Sequence, residues 1–188
     1  MRRIHARGLA PGTSGNFSAV VDRGLAITAS GVDKGRLDET QLVVVDPAGR
    51  VIAGTGAPSA ETAIHLEIVR ARGARAVLHV HSVWNTLVSR RAAAAGALAI
   101  SGLEMLKGLR GVTTHEHREV VPVVANSQDM PRLAADVRDI LAAHPACHGF
   151  LLAGHGLYTW GADLAEAHRH VEIFEFLFEV VGRESFGR

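Results

Sequence analysis

The rhythm of the sequence changes once, near residue 59, and that change limits the folds open to the chain. Before it, short β-favouring runs alternate with turn-forming clusters. Residues 17–21 and 25–28 flank Asp22-Arg23-Gly24, and residues 42–45 and 51–53 flank Asp46-Pro47-Ala48-Gly49, which reads as two hairpins. After it, helical and strand periods take turns. Ser59 has the chemistry of an N-cap for a helix over 60–71, with Ile64, Ile68 and Val69 at helical spacing. A strand over 75–81 follows, then a helix over 83–95 capped by Ser82, a strand over 120–124, a helix over 131–143, a strand over 150–153 and a closing helix over 163–181. Hairpins first and alternation afterwards predict a mixed sheet with helices on its faces.

Nothing in the composition divides the 188 residues, so one domain over 1–188 is expected. A formal net charge of +1 supplies no field for nucleic acid or an anionic membrane, and neither partner is expected. The most apolar tract, residues 92–100, is about half of the roughly 20 residues that a membrane span needs. The lone Cys147 leaves no internal disulfide, and Met1-Arg2-Arg3-Ile4-His5 does not lead into an apolar signal core. A cytoplasmic location is therefore expected. Eleven histidines are many for this length and point to metal or proton chemistry.

His79-Val80-His81 closes the apolar run Ala76-Val77-Leu78. Residues two apart on a strand share a side, so both rings can face one point. By itself the pair reads equally as two polar residues closing a strand. His155 stands in Gly154-His155-Gly156 after the apolar residues 150–153; a third imidazole at a strand end makes the three-nitrogen set that catalytic zinc uses with one position open. A histidine bonded within a glycine turn is the competing reading, and spacing leaves both open. His115-Glu116-His117 lies among charged residues and reads as a solvated or substrate-facing loop. His168 and His170 are expected at the surface, and His65 as a hydrogen-bonded packing residue.

Three small-residue turns carry anion-binding chemistry: Thr13-Ser14-Gly15-Asn16, Thr28-Ala29-Ser30-Gly31 and Pro58-Ser59-Ala60, with Lys34 just beyond the second. Backbone N–H groups, hydroxyls, an amide and an ammonium can together hold a phosphate. Each turn alone reads as structural, and no nucleotide fingerprint is present. Two carboxylates compete for acid–base work. Glu61 falls at the start of a helix, where it also complements the dipole. Glu104, between Leu103 and Met105, is expected to be partly buried and so suited to proton transfer, with pairing to Lys107 as the alternative.

Together these residues resemble the class II aldolase/adducin family, through GTSGNFSA (12–19), ITASG (27–31), PSAE (58–61), HVHS (79–82) and AGHG (153–156). The resemblance implies a three-layer α/β/α fold around a mixed, mainly antiparallel sheet. It implies Zn2+ on His79, His81 and His155, phosphate near Asn16, Ser30, Gly31 and Ser59, and a homotetramer with sites near subunit interfaces. SGLEMLKG (101–108), GVTTHEHRE (111–119) and GHGLYTWG (154–161) resemble the branch that dehydrates a small phosphorylated keto-sugar, 5-methylthioribulose 1-phosphate, in methionine salvage. In that branch the residue matching Glu104 is the proposed acid/base; in the aldolase branch the residue matching Glu61 is associated with proton transfer and the metal. An aldolase or epimerase acting on another sugar phosphate could use the same cage. A non-catalytic, adducin-like interaction domain should lack the three histidines.

Overall fold

The computed structural model describes residues 1–186. A short helix α1 (Arg2–Ala6) precedes β1 (Asn16–Val21), β2 (Gly24–Thr28), β3 (Leu42–Val45) and β4 (Val51–Ala53). Then come α2 (Thr62–Arg72), β5 (Ala76–Val80), α3 (Val83–Ala92), β6 (Ala97–Ile100), β7 (Glu119–Val124), α4 (Met130–Ala143), β8 (Gly149–Leu152), β9 (Gly156–Gly161) and α5 (Leu164–Phe186). The nine strands form one sheet in the order β4-β3-β2-β1-β5-β9-β8-β7-β6. Only β7 and β8 run parallel; the other neighbours are antiparallel. The mixed, mainly antiparallel sheet with helices on its faces is the expected architecture.

Alternation along the central strands builds the two outer layers. Leu78 and Val80 of β5, Leu151 of β8 and Leu157 of β9 face a core shared with Ile4, Val88, Val171, Phe174 and Phe178 from α1, α3 and α5. Val77, Phe150, Leu152, Tyr158 and Trp160 point the other way, toward Ile64 and Ile68 of α2 and Leu133, Val137 and Leu141 of α4. His79, in step with Val77, therefore belongs to the α2 face, and that assignment decides where the site forms.

Helix starts follow local chemistry, with one instructive exception. Ser82 caps α3 in a capping box with Asn85, and Asp129 caps α4 by accepting from the Arg132 N–H. Ser59 does not cap α2, which begins three residues later. Its hydroxyl accepts from the Glu61 N–H at 3.3 Å and its carbonyl accepts from the Thr62 N–H at 3.0 Å, so this turn forms ahead of the helix. Glu61 holds the N-cap position but makes no side-chain cap; its carboxylate is directed elsewhere.

Two strands escape the sequence reading. β6 is short and alanine-rich after a 3-10 turn over Ala93–Ala95, and β9 reads Gly-Leu-Tyr-Thr-Trp-Gly, with glycine at both ends. Both gain strand character from pairing. His170 is buried rather than superficial. Its Nδ1 contacts the Trp160 carbonyl at 2.8 Å and its Nε2 accepts from the Arg110 N–H at 3.1 Å, because this side of α5 packs on β9 and the 104–112 segment. No described helix is long and apolar enough to cross a membrane.

Candidate metal centre and substrate pocket

A row of paired residues crosses the middle of the sheet. Asn16 of β1 lies opposite His79 of β5, His79 opposite Tyr158 of β9, and Tyr158 opposite Phe150 of β8. Cross-strand partners share a face, so the His79 ring stacks on Tyr158 at 3.9 Å and 13°, and Tyr158 stacks on Phe150 at 5.0 Å. His79 is completely buried and cannot swing away. His81 follows just beyond the strand. His155 arrives on the three-residue loop between β8 and β9, whose Gly154 adopts φ +67°. A Cβ at Gly156 would come within 2.8 Å of the His79 ring and 3.0 Å of the His81 ring, so glycine there leaves room for both.

The three imidazoles present ligand nitrogens within 4.8 Å of one another. Nε2 of His79 is 2.7 Å from Nε2 of His81 and 3.4 Å from Nε2 of His155. The His79 Nδ1–H donates to the Leu157 carbonyl at 3.0 Å, and the His155 Nδ1–H donates to Asn126 Oδ1 at 3.3 Å. Those bonds leave bare lone pairs on both inward nitrogens. Burial, reinforced by the neighbouring rings, keeps the His79 pKa well below the usual value; burial, with charge from His155 and Lys34, brings His81 to about 4. Both rings are neutral at pH 7. Glu61 adds its carboxylate to the same point, with Oε2 3.4 Å from His79 Nε2 and Oε1 3.5 Å from His155 Nε2. Three imidazole nitrogens and a carboxylate converging on one point could hold a cation, and that donor set suits a divalent metal.

Behind Glu61 runs a buried polar chain. Asn16 Nδ2 donates to Glu61 Oε2 at 2.6 Å, Asn16 Oδ1 meets His65 Nε2 at 2.5 Å, and His65 Nδ1 meets the Ser18 hydroxyl at 2.7 Å. Burial lowers the His65 pKa to about 3, so that ring is also neutral. The Tyr158 hydroxyl is buried; burial first, then the Glu61 carboxylate, push its pKa well up.

In front of the cage opens a cavity of about 330 Å³. Ser14, Gly15, Asn16, Ser30, Gly31, Lys34, Ser59, Glu61, His81 and His155 all line it. The three turns meet because Ala29 bridges to Pro58, the Ser30 N–H donates to the Ala57 carbonyl, and Lys34 Nζ donates to the carbonyls of Thr13 and Val32. Lys34 is only 1% exposed, and burial lowers its pKa. Ser14 Oγ is buried without a partner among the described residues. Asn126, Ser127, Gln128 and Met130 complete the lining. The sequence reading passed over them; their signal was a polar run directly after the strand at 120–124.

Glu104 does not join this cavity. Its side chain is 68% exposed and pairs with Lys107, with His115 Nδ1 at 3.7 Å. The expected partial burial fails because the 3-10 turn Glu104–Gly108 sends Leu106 inward and leaves Glu104 outside. His117 joins Glu119 and His148 in a second three-residue group. There every inward atom already has a protein partner: Glu119 Oε2 is 2.9 Å from both His117 Nε2 and His148 Nδ1.

The family model for the class II aldolase and adducin N-terminal domain matches residues 1–181. The chain belongs to this family. Among class II aldolase relatives, the methylthioribulose-1-phosphate dehydratase of Sorangium cellulosum is 49% identical over 181 residues, covering 95% of this chain and 85% of the relative. The protein of the same name from Methylococcus capsulatus is 48% identical over 184 residues, covering 97% and 89%. Among solved class II structures, an L-fuculose 1-phosphate aldolase superposes with a TM-score of 0.81 at 24% identity, covering all of this chain and 84% of that one; it speaks for the fold alone. The L-fuculose-1-phosphate aldolase of Thermus thermophilus gives 0.77 at 27% identity, covering 98% and 90%.

Proposed function

We propose that the chain is a lyase that dehydrates 5-methylthioribulose 1-phosphate to 2,3-diketo-5-methylthiopentyl 1-phosphate, with one zinc ion on His79, His81 and His155. The observation that carries the reading is a cage of three imidazoles facing a cavity lined by small-residue turns and Lys34, in a chain nearly half identical, over almost its whole length, to proteins named for this reaction. The enzyme works in the cytoplasm, in methionine salvage.

A divalent cation in the cage supplies Lewis acidity, which lowers the energy of negative charge on the substrate's oxygens. The three turns and Lys34 hold the phosphate, with Ser14 Oγ as a spare donor, and so fix the keto-sugar for proton transfer. Dehydration needs a base for the C3 proton and an acid for the departing C4 hydroxyl, followed by tautomerisation of the enol to the diketone. Among the described residues, Glu61 is the only carboxylate lining the cavity. Glu61 stands against the three imidazoles, where the charge of a bound cation would make its carboxylate a weaker base. The proton chemistry then falls to a group from outside. Glu104, exposed on its own subunit, fills that role from an adjacent subunit of a homotetramer, taking the C3 proton and returning it to the leaving hydroxyl.

Two experiments test this. Zinc-loaded protein incubated with the substrate should yield a product lighter by one water; a cleaved pair would mark an aldolase. For the shared site, Glu104→Gln and His79→Ala proteins are inactive alone, and mixed tetramers of the two should regain activity. Silent mixed tetramers would remove Glu104 from the mechanism or return it to its own subunit.

A further inference from the structure

The cage explains Glu61's neighbours on one side; on the other side lie three buried polar residues, of which Asn16 also lines the cavity while Ser18 and His65 have no role in holding metal or substrate. Ser18 and Asn16 lie two apart on β1 and so share its α2 face. His65 sits four residues after Glu61 on α2 and lies between them, fully buried, with both ring nitrogens engaged.

The protons in this chain have one consistent arrangement. Asn16 turns its NH2 toward Glu61, donating from Nδ2 to Oε2 at 2.6 Å. The Asn16 carbonyl then faces His65, so Nε2 must carry the ring's single proton. Nδ1 is left to accept from the Ser18 hydroxyl. All three bonds run toward the carboxylate. The reverse tautomer would set His65 Nε2 against Asn16 Oδ1, two acceptors at 2.5 Å in a buried site, at a cost of about 1–3 kcal/mol for the unmet bond.

We propose that Ser18, His65 and Asn16 form a one-way hydrogen-bond relay in which His65, a positioning residue, fixes the Asn16 amide and through it keeps the Glu61 carboxylate aimed at the metal cage. This rests on the lyase reading for its effect on turnover, but the relay itself exists in the metal-free protein and is tested there. Nitrogen-15 NMR of metal-free wild type should show His65 as a neutral ring protonated on Nε2. A ring protonated on Nδ1 overturns the proposal, whatever reaction the enzyme catalyses.

Two variants separate positioning from filling space. In His65→Gln the amide nitrogen reaches the place of Nε2 and can still donate to Asn16; in His65→Asn the amide reaches only the place of Nδ1. His65→Asn should lower kcat and weaken zinc binding by roughly 10- to 100-fold, as loss of a residue supporting a metal ligand does. KM should move less than kcat, because the other two turns and Lys34 still line the cavity and only Asn16 of the first turn is loosened. His65→Gln should recover most of both losses. Equal losses in the two variants, or a change confined to KM, would make His65 a packing residue only. If neither variant folds, the tautomer measurement decides.

Discussion

Two clusters in this molecule each gather three side chains with ligand atoms within 4.8 Å, yet their electrostatics are opposite. In the cage of His79, His81 and His155, hydrogen bonds on the outer nitrogens of His79 and His155 turn the lone pairs of those two rings inward, and burial drives the pKa values of His79 and His81 down. In the cluster of His117, Glu119 and His148, protons lie between the groups. The His148 Nε2–H donates to the Arg110 carbonyl at 2.8 Å, while Nδ1 faces the Glu119 carboxylate, so the ring must carry a second proton. Burial opposes that charge, but the hydrogen bond and charge of Glu119 outweigh it and raise the His148 pKa. Burial likewise works to raise Glu119, and the bond to His148 leaves it lowered. The same residue types make a cation receptor in one place and a closed ion pair in the other. The placement of protons, more than the count of histidines, separates a metal site from a structural clamp.

The comparison breaks most visibly at His79. His79→Ala should abolish zinc retention and turnover together, read by elemental analysis and product mass, because its fully buried nitrogen is the floor of the cage. Full zinc occupancy in this variant would mean that the metal lies elsewhere. Next in size, Glu119→Gln should cost about 2–3 kcal/mol of unfolding free energy, below the 3–5 of a wholly buried pair because both imidazoles keep some contact with water. Its zinc content should match wild type; a loss of one zinc would turn the clamp into a second metal site. Asn126→Ala, which removes the partner of His155 Nδ1, should weaken zinc binding by roughly 10- to 100-fold without unfolding the chain.

The smallest effect is the pH dependence of the clamp. A raised His148 pKa contributes stability that is complete below 6.5, its ordinary value, and fades as pH rises through the folded pKa. A lowered Glu119 pKa contributes stability that is complete above 4.5 and fades as pH falls through the folded one. The gap in unfolding free energy between wild type and Glu119→Gln should therefore be widest between pH 4.5 and 6.5. Denaturant titrations that find the gap constant, or growing above pH 8, would remove the charge from His148.

Much of the site was legible in the chain because it is built from local patterns. Alternation puts His79 on one strand face, glycines flank His155, and the three turns have the composition of anion holders. Ser82 was read correctly as a cap, its hydroxyl accepting from the Asn85 N–H in the first turn of the helix. Ser59 was misread because its turn bonds form ahead of the helix and free Glu61 to enter the cage. Glu104 was expected to be partly buried from its apolar neighbours, but which side of a 3-10 turn faces inward is not written in the flanking residues.

By itself the sequence determined the class of fold, the three histidines and the anion turns, since each follows from period, spacing or residue type within a few positions. Only the tertiary structure decided which groups share protons. Asn16 meets Glu61 across 45 residues, His65 meets Asn16 across 49, and His148 meets Glu119 across 29. A hydrogen bond is set to tenths of an ångström by the packing of several elements at once, and no local pattern carries that information.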